Sequence, residues 1–362
     1  MKLRNFLKLM VMAFFLPVAF VACSDDDGPV TPPNTPDAED ALLVFNSGSF
    51  YSSIDGSLSV INFEKEQTVA NNVFLNNNGR SLGSSVQDGV VLGEHLYIAV
   101  YQSNTIEVVN KETFKSVTTI RLDEETGQPR DIVADDHYVY ASMFTGYVAR
   151  INPATNSIDK TVQVGPNPEE MAIANGYLYV VNSDGMNYAN NYENGKTVSK
   201  INLTTFEEEK KIEVGLNPTI IVAADGNLFV LCMGNYGDVP SSIYKIDKSD
   251  NVTDTGVQGT VMTEEDGVLY VVYYPYYEEG TTYTAYRASD MSVLNSQFID
   301  TRVDAPAGIA VDDDRIFISS YNLVDGYASY NTAGYVNEYR MDGTFVKKYD
   351  VGVGPVRMAF LD

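Results

Sequence analysis

The sequence predicts an all-β fold: a seven-bladed β-propeller of four-stranded antiparallel blades, closed by pairing of its N- and C-terminal strands. Three observations predict it. A unit of about 45 residues recurs along the chain. Each unit carries four short strand patterns separated by turn residues. The two ends of the domain carry complementary fragments of one further unit. Radial repetition of four-stranded units of this length is a propeller.

The second strand of the unit is the clearest. It reads Leu96-Tyr97-Ile98, Val139-Tyr140-Ala141, Leu178-Tyr179-Val180, Leu228-Phe229-Val230, Leu269-Tyr270-Val271 and Ile316-Phe317-Ile318. A third strand follows with period-2 alternation, as in Ile106 to Asn110, Val148 to Asn152, Val198 to Asn202 and Ile243 to Asp247. The outer strand closes on Val-Gly-x-x-Pro at Val164 to Pro168, Val214 to Pro218 and Val351 to Pro355. Proline lacks an amide proton and glycine tolerates positive φ, so the motif predicts a sharp crossover to the next inner strand. The C-terminal run Pro355 to Leu361 has the pattern of an innermost strand with no partners after it. Leu42 to Phe45, Leu58 to Asn62 and Thr68 to Leu75 have the patterns of strands two, three and four with no first strand before them. Joined, the ends make a seventh blade and leave no broad open edge.

Loop lengths then map the two faces. Turns between strands one and two are minimal, as at Leu92 to His95 and Ala134 to His137. Loops between strands two and three are long, at Asn46 to Gly56, Asn182 to Gly195, Met233 to Pro240, Tyr273 to Thr282 and Ser320 to Gly334, and all belong to one face. They carry Phe50 and Tyr51; Asn187, Tyr188 and Tyr192; Tyr236; Tyr274, Tyr276 and Tyr277; and Tyr321, Tyr327 and Tyr330. Tyr101 and Phe144, just past their second strands, join the same face. Tyrosine gives a large rigid contact with a polar tip, and the neighbouring Asn, Gly and Ser add adaptable hydrogen bonds, so this face is the predicted ligand-binding surface. Residues just after the crossovers, Arg130, Glu169, Thr219, Ala307 and Arg357, are expected at the central mouth on that face. For the two arginines, two readings stand: each binds a phosphate or carboxylate of a ligand, or each pairs with a neighbouring acid.

Charge and motifs narrow the function classes. The chain has 362 residues and a net charge of −25, a field that repels nucleic acid and anionic lipid and favours a neutral or cationic small molecule or a protein. No catalytic activity is expected. The only two histidines, His95 and His137, fall in turns on the short-loop face, away from the tyrosine-rich rim. The acid pairs Glu169-Glu170 and Glu278-Glu279 are adjacent in sequence, and strand alternation is expected to point their side chains apart. The run Asn182 to Asn187 has the oxygen-rich character of a calcium loop without its terminal glutamate, and with Asp312 to Asp314 it reads as a solvated turn; no metal is expected. Cys232 lies in an apolar strand and is expected to be buried and inert.

The N-terminus is expected to precede the domain. Lys2, Arg4 and Lys8 form a cationic start and Leu9 to Ala22 an apolar stretch too short for a comfortable membrane span, so residues 1–22 read as a secretory signal. Its removal takes three cations and shifts the charge from −25 to about −28. The segment Phe20-Val21-Ala22-Cys23 resembles the lipobox of bacterial lipoproteins, which implies that Cys23 is lipidated. The following Ser24-Asp25-Asp26-Asp27 resembles the export signal of Bacteroidetes surface lipoproteins, which implies an outer-membrane, lipid-anchored, cell-surface location. Residues 23–40 are then the lipidated cysteine and a Pro-, Asp- and Thr-rich tether, and residues 41–362 the propeller.

The repeated Val-Gly-x-x-Pro, Leu-Tyr-Val and Ile-Asn/Asp segments resemble the YncE-like propellers over the whole mature chain. With the lipoprotein signals, and with Val44-Phe45-Asn46-Ser47-Gly48-Ser49-Phe50 followed by Gly56 to Val60, the sequence is similar to the cobalamin-capturing surface lipoproteins called BtuG. That resemblance implies a bound cobalamin or other corrinoid and delivery to a TonB-dependent outer-membrane transporter of the BtuB type. A surface scaffold that binds a partner protein or glycan without a corrinoid is the alternative, and a polysaccharide lyase or hydrolase a third.

Overall fold

A computed structural model describes residues 41–63, 68–275, 280–312 and 314–361. The signal segment, Cys23, the tether, Tyr276, Tyr277 and the pair Glu278-Glu279 lie outside the described residues.

The described strands form seven four-stranded antiparallel sheets and one two-stranded ribbon, Leu323–Val324 with Tyr327–Ala328. Blades 1 to 6 span residues 86–121, 129–163, 168–213, 218–254, 261–295 and 305–353. Blade 7 takes its innermost strand, Pro355–Leu361, from the end of the chain and Ala41–Asn46, Ser57–Asn62 and Thr68–Ala70 from its beginning. Val44 lies opposite Met358 and Ala41 opposite Leu361, so the two ends share one sheet as the complementary fragments predict. Each innermost strand packs on that of the next blade, and Pro355–Leu361 packs on those of blades 6 and 1, which closes the ring.

Second strands such as Leu96 to Val100 and Val139 to Met143 are buried on both faces. This follows from stacking: each blade presents one face to each neighbour, so alternation cannot leave a wet side. The core is a series of apolar interfaces between blades, such as Phe45, Leu58 and Val60 of blade 7 against Leu96 and Ile98 of blade 1.

Two local expectations are corrected. The stretch Thr68 to Leu75 is a strand only over Thr68–Ala70; Asn72 takes φ 55° and a short helix, Val73–Asn78, follows. Val73 and Phe74 are adjacent yet both buried in the blade 7–blade 1 core, which a strand edge could not achieve. In Val-Gly-x-x-Pro the left-handed residue is not the glycine but the one before proline: Asn167 (φ 45°), Asn217 (φ 56°) and Gly354 (φ 68°). The glycines are required by close approach instead, since a Cβ on Gly165 would stand 2.4 Å from the Asn182 carboxamide carbon. The Gly165 N–H donates to Asn182 Oδ1 at 2.9 Å across that gap.

Candidate functional site

The site is built by a repeated irregularity. In every blade but the fifth, the register of the innermost strand slips by one residue near its start: between Val86 and Asp88, Pro129 and Asp131, Pro168 and Met171, Pro218 and Ile220, Pro306 and Gly308, and opposite Phe45 and Asn46 at Pro355 to Arg357. A β-bulge bends the strand and re-aims a side chain. Here the extra residues are Gln87, Arg130, Thr219, Ala307 and Val356, with Glu169 and Glu170 sharing the slip in blade 3, and all of them line one cavity of about 660 Å³ over the central channel. The five residues expected at the mouth are therefore together. The wall above them comes from the long loops, with Ser47, Gly185, Met186, Tyr192, Met233, Tyr236 and Tyr321. Tyr101 and Phe144 complete it.

Both arginines are paired with acids. Arg130 Nε donates to Glu169 Oε2 at 2.6 Å and Nη1 donates to Gln87 Oε1. Its guanidinium carbon lies 5.8 Å from the Tyr101 ring centre and 5.3 Å from that of Phe144, and those rings meet edge to face. Arg357 pairs with Glu170 and lies 3.8 Å from Asp131. Each arginine thus has the neighbouring acid that one of the two readings expects. Burial alone would lower the pKa of Arg357, but Glu170, Asp88 and Asp131 outweigh it and raise it.

Below the mouth, a smaller cavity of about 170 Å³ is bounded by Asp88, Asp131, Glu170 and Arg357. The three carboxylates stitch consecutive blades: Asp88 accepts the Ile132 N–H at 3.2 Å, Asp131 that of Met171 at 2.9 Å and Glu170 that of Ile221 at 3.4 Å. Burial raises the pKa of all three, and Asp88 adds to the rise at Asp131, with which it shares a hydrogen bond. The expectation that Glu169 and Glu170 point apart is overturned: the bulge between Pro168 and Met171 breaks alternation and brings both to one cavity, each on its own arginine.

The tyrosine-rich loops divide into two groups. Tyr192, Tyr236 and Tyr321 face the central cavity. Tyr236 is also a wall of a second cavity of about 590 Å³, bounded further by Tyr273, Tyr274, Tyr330, Gln258 and Pro275. The two cavities share Met233, Tyr236 and Thr260. Edge-to-face pairs hold the rings, Tyr192 on Tyr236 at 6.1 Å and Tyr321 on Tyr330 at 4.8 Å. Phe50, Tyr51, Tyr188 and Tyr327 line neither cavity; they stand exposed on the outer rim, Tyr51 at 98 %. Asn187 is also outside both, its amide donating to Asp184 Oδ2 at 2.8 Å.

The run Asn182 to Asn187 is not a solvated turn. Asn182, Ser183 and Asp184 are buried, Asp184 accepts from Asn187 and from the Asn194 N–H, and Gly185 and Met186 reach the cavity wall. Among the described residues no group of His, Cys, Asp and Glu is arranged to hold a metal ion. Cys232 ends the second strand of blade 4, where Asn182 stands in blade 3, and burial pushes its thiol pKa up. Sequence reasoning missed Gln87, Asp88, Asp131 and the role of Glu170. Their signal is positional: each falls two or three residues after the left-handed residue that opens an inner strand, Ser85, Gln128 or Asn167.

Comparison with solved structures bears on the fold alone. Hydrazine synthase of Kuenenia stuttgartiensis matches with a TM-score of 0.58 at 14 % identity, over 75 % of this chain and 88 % of that one. A functionally unknown protein of Desulfotomaculum acetoxidans matches with 0.58 at 15 %, over 89 % and 99 %. The computationally designed Ika8 protein matches with 0.56 at 11 %, over 86 % and 85 %. No curated protein matches the chain in sequence. A family model described as a domain of unknown function, DUF5074, matches residues 40–269, more than half of the sequence, and the chain belongs to that family.

Proposed function

We propose that the protein is a cell-surface lipoprotein that binds cobalamin or a related corrinoid on the long-loop face and delivers it to a TonB-dependent outer-membrane transporter, without chemistry of its own. The observation that carries the binding step is the pair of cavities that meet at Tyr236, about 660 and 590 Å³, walled by aromatic rings and by neutral and paired polar groups. Single-ligand pockets run to about 300–1,000 Å³, so a ligand filling both is large. A corrinoid is large and flat, with an apolar body and an amide-bearing edge, and it suits rings that offer stacking and hydrogen bonds together. His95 and His137 sit in or beside the short turns at the other end of the blades, so the bound corrinoid keeps its own base on cobalt. Lipid on Cys23 is the anchor in this reading, and the net charge of −25 sets nucleic acid aside as a partner.

Calorimetric titration of the purified protein with cyanocobalamin tests the reading. Saturable heat and a raised melting temperature support it; neither effect at micromolar protein removes it. A scaffold for a partner protein or glycan is favoured by one separate observation, the exposed Phe50, Tyr51, Tyr188 and Tyr327 that line neither cavity. Capture of a transporter with no corrinoid present would support that second reading.

A further inference from the structure

We infer that Arg130 is the ligand-selecting group of the central cavity and that it takes a neutral carbonyl oxygen, such as an amide's, in preference to a phosphate or carboxylate. This rests on the cavity being a ligand site and not on which ligand fills it.

A guanidinium has five N–H donors in a fixed fork. Arg130 spends Nε on Glu169 and one Nη1 hydrogen on Gln87, and Nη2 donates to no described residue. Its side chain remains 34 % exposed, and the residue is part of the cavity wall. The orientation is fixed beforehand: a carboxylate and a carboxamide hold one edge, and the rings of Tyr101 and Phe144 flank the guanidinium at 5.8 and 5.3 Å. Such a group loses little entropy when it binds, which is what makes it selective.

Charge decides what it selects. The cavity is lined by two cations, Arg130 and Arg357, and three acids, Asp131, Glu169 and Glu170. Each arginine already has a partner, so an anion entering the mouth meets a field with no uncompensated positive charge and must also lose its water. A carbonyl oxygen carries no such penalty. It accepts from donors that a seated ligand would otherwise bury unpaired at a cost.

The test soaks crystals of the protein in acetamide and, separately, in inorganic phosphate. We expect the acetamide oxygen within hydrogen-bond distance of Arg130 Nη2 and no phosphate in the cavity. Phosphate on Nη2, or a cavity without acetamide there, overturns the inference. Cyanocobalamin titrations separate this from the choice of ligand. Arg130→Lys keeps the charge and loses the fork, and should weaken binding about tenfold while added phosphate leaves wild-type affinity unchanged. Equal affinity in Arg130→Lys overturns the inference. Acetamide on Nη2 with no cyanocobalamin binding would instead remove the corrinoid and leave the carbonyl site standing.

Discussion

Arg357, in the last strand of the chain, donates to Glu170 of blade 3, so the seam blade is tied across the channel to a blade that is not its neighbour. Asp131 of blade 2 lies 3.8 Å from the same guanidinium and shares a hydrogen bond with Asp88 of blade 1. Three carboxylates around one cation are more acid than it can balance, and burial, with Asp88, holds the Asp131 carboxyl well above its ordinary value of 3.8.

The first prediction follows by linkage. A carboxyl whose pKa is raised on folding binds its proton more tightly in the native state, so its contribution to stability is full below the unfolded value, near 3.8, and is lost as pH rises through the raised native value. Asp131→Asn mimics the protonated form: its amide oxygen can accept the Met171 N–H as the carboxylate does at 2.9 Å, and its NH2 can donate to Asp88. Urea unfolding at pH 4 and pH 7 should find the variant more favourable, relative to wild type, at the higher pH. An unchanged difference would mean that Asp131 is ionised in the fold. Asp88, Glu170 and Arg357 face the same cavity, so the slope measured is that of the cluster.

The second prediction concerns closure of the ring. Phe45 is fully buried and reaches from blade 7 into blade 1, where a Cβ on Gly89 would stand 2.4 Å from its ring. Phe45→Ala should cost about 3–5 kcal/mol, the usual range for a buried phenylalanine, read as a lower denaturant midpoint. Gly89→Ala should also destabilise by overpacking. Combining it with Phe45→Ala should cost less than the sum of the single changes, because the small residue opens the space that the methyl needs. Strict additivity would show that the two positions do not meet.

The repeat, the seam and the long-loop face were legible because each rests on periodicity or on loop length, which side-chain packing does not alter. Leu42 to Phe45 and Pro355 to Leu361 carry strand patterns that only the other end of the chain completes. The mouth was legible in part. Arg130, Glu169 and Arg357 could be placed after their crossovers, but Glu170 could not, because only the one-residue slip after Pro168 brings it to the cavity that Glu169 serves. Bulges leave no compositional mark in one blade, although Ser85, Gln128, Asn167 and Asn217, all left-handed, mark four such positions once the structure is known. The tyrosines were legible only as a group. Composition cannot separate Tyr236, turned to the cavities, from Tyr51, turned to solvent.

Cys232 gives the third prediction. Its side chain is buried at the end of an apolar strand, and burial raises its pKa, so the thiolate that reacts with disulfides is scarce. It should resist a thiol reagent such as dithionitrobenzoate in native buffer at pH 8 and react fully in denaturant. Cys232→Ser should lower stability, since the buried sulfur becomes a hydroxyl in an apolar setting, and should leave ligand affinity unchanged. Rapid native labelling would show that blade 4 opens locally.

The last prediction separates binding from presentation. Tyr236 is the ring shared by both cavities and is propped edge to face by Tyr192, so a ligand that fills both cavities must cover it. Tyr236→Ala should weaken cyanocobalamin binding about ten- to thirtyfold, as loss of a central aromatic contact worth about 1.5–2 kcal/mol does. Tyr51 has the same chemistry but stands 98 % exposed, against Phe50 and outside both cavities. Tyr51→Ala should therefore leave the affinity of the isolated protein within about twofold, since an exposed side chain with no ligand contact has little to lose. If the outer rim meets a transporter, the same variant should slow delivery in a reconstituted pair of the two proteins while binding stays intact. A Tyr51→Ala loss as large as that of Tyr236→Ala would place the ligand on the outer rim, and the two cavities would then have no part in holding it.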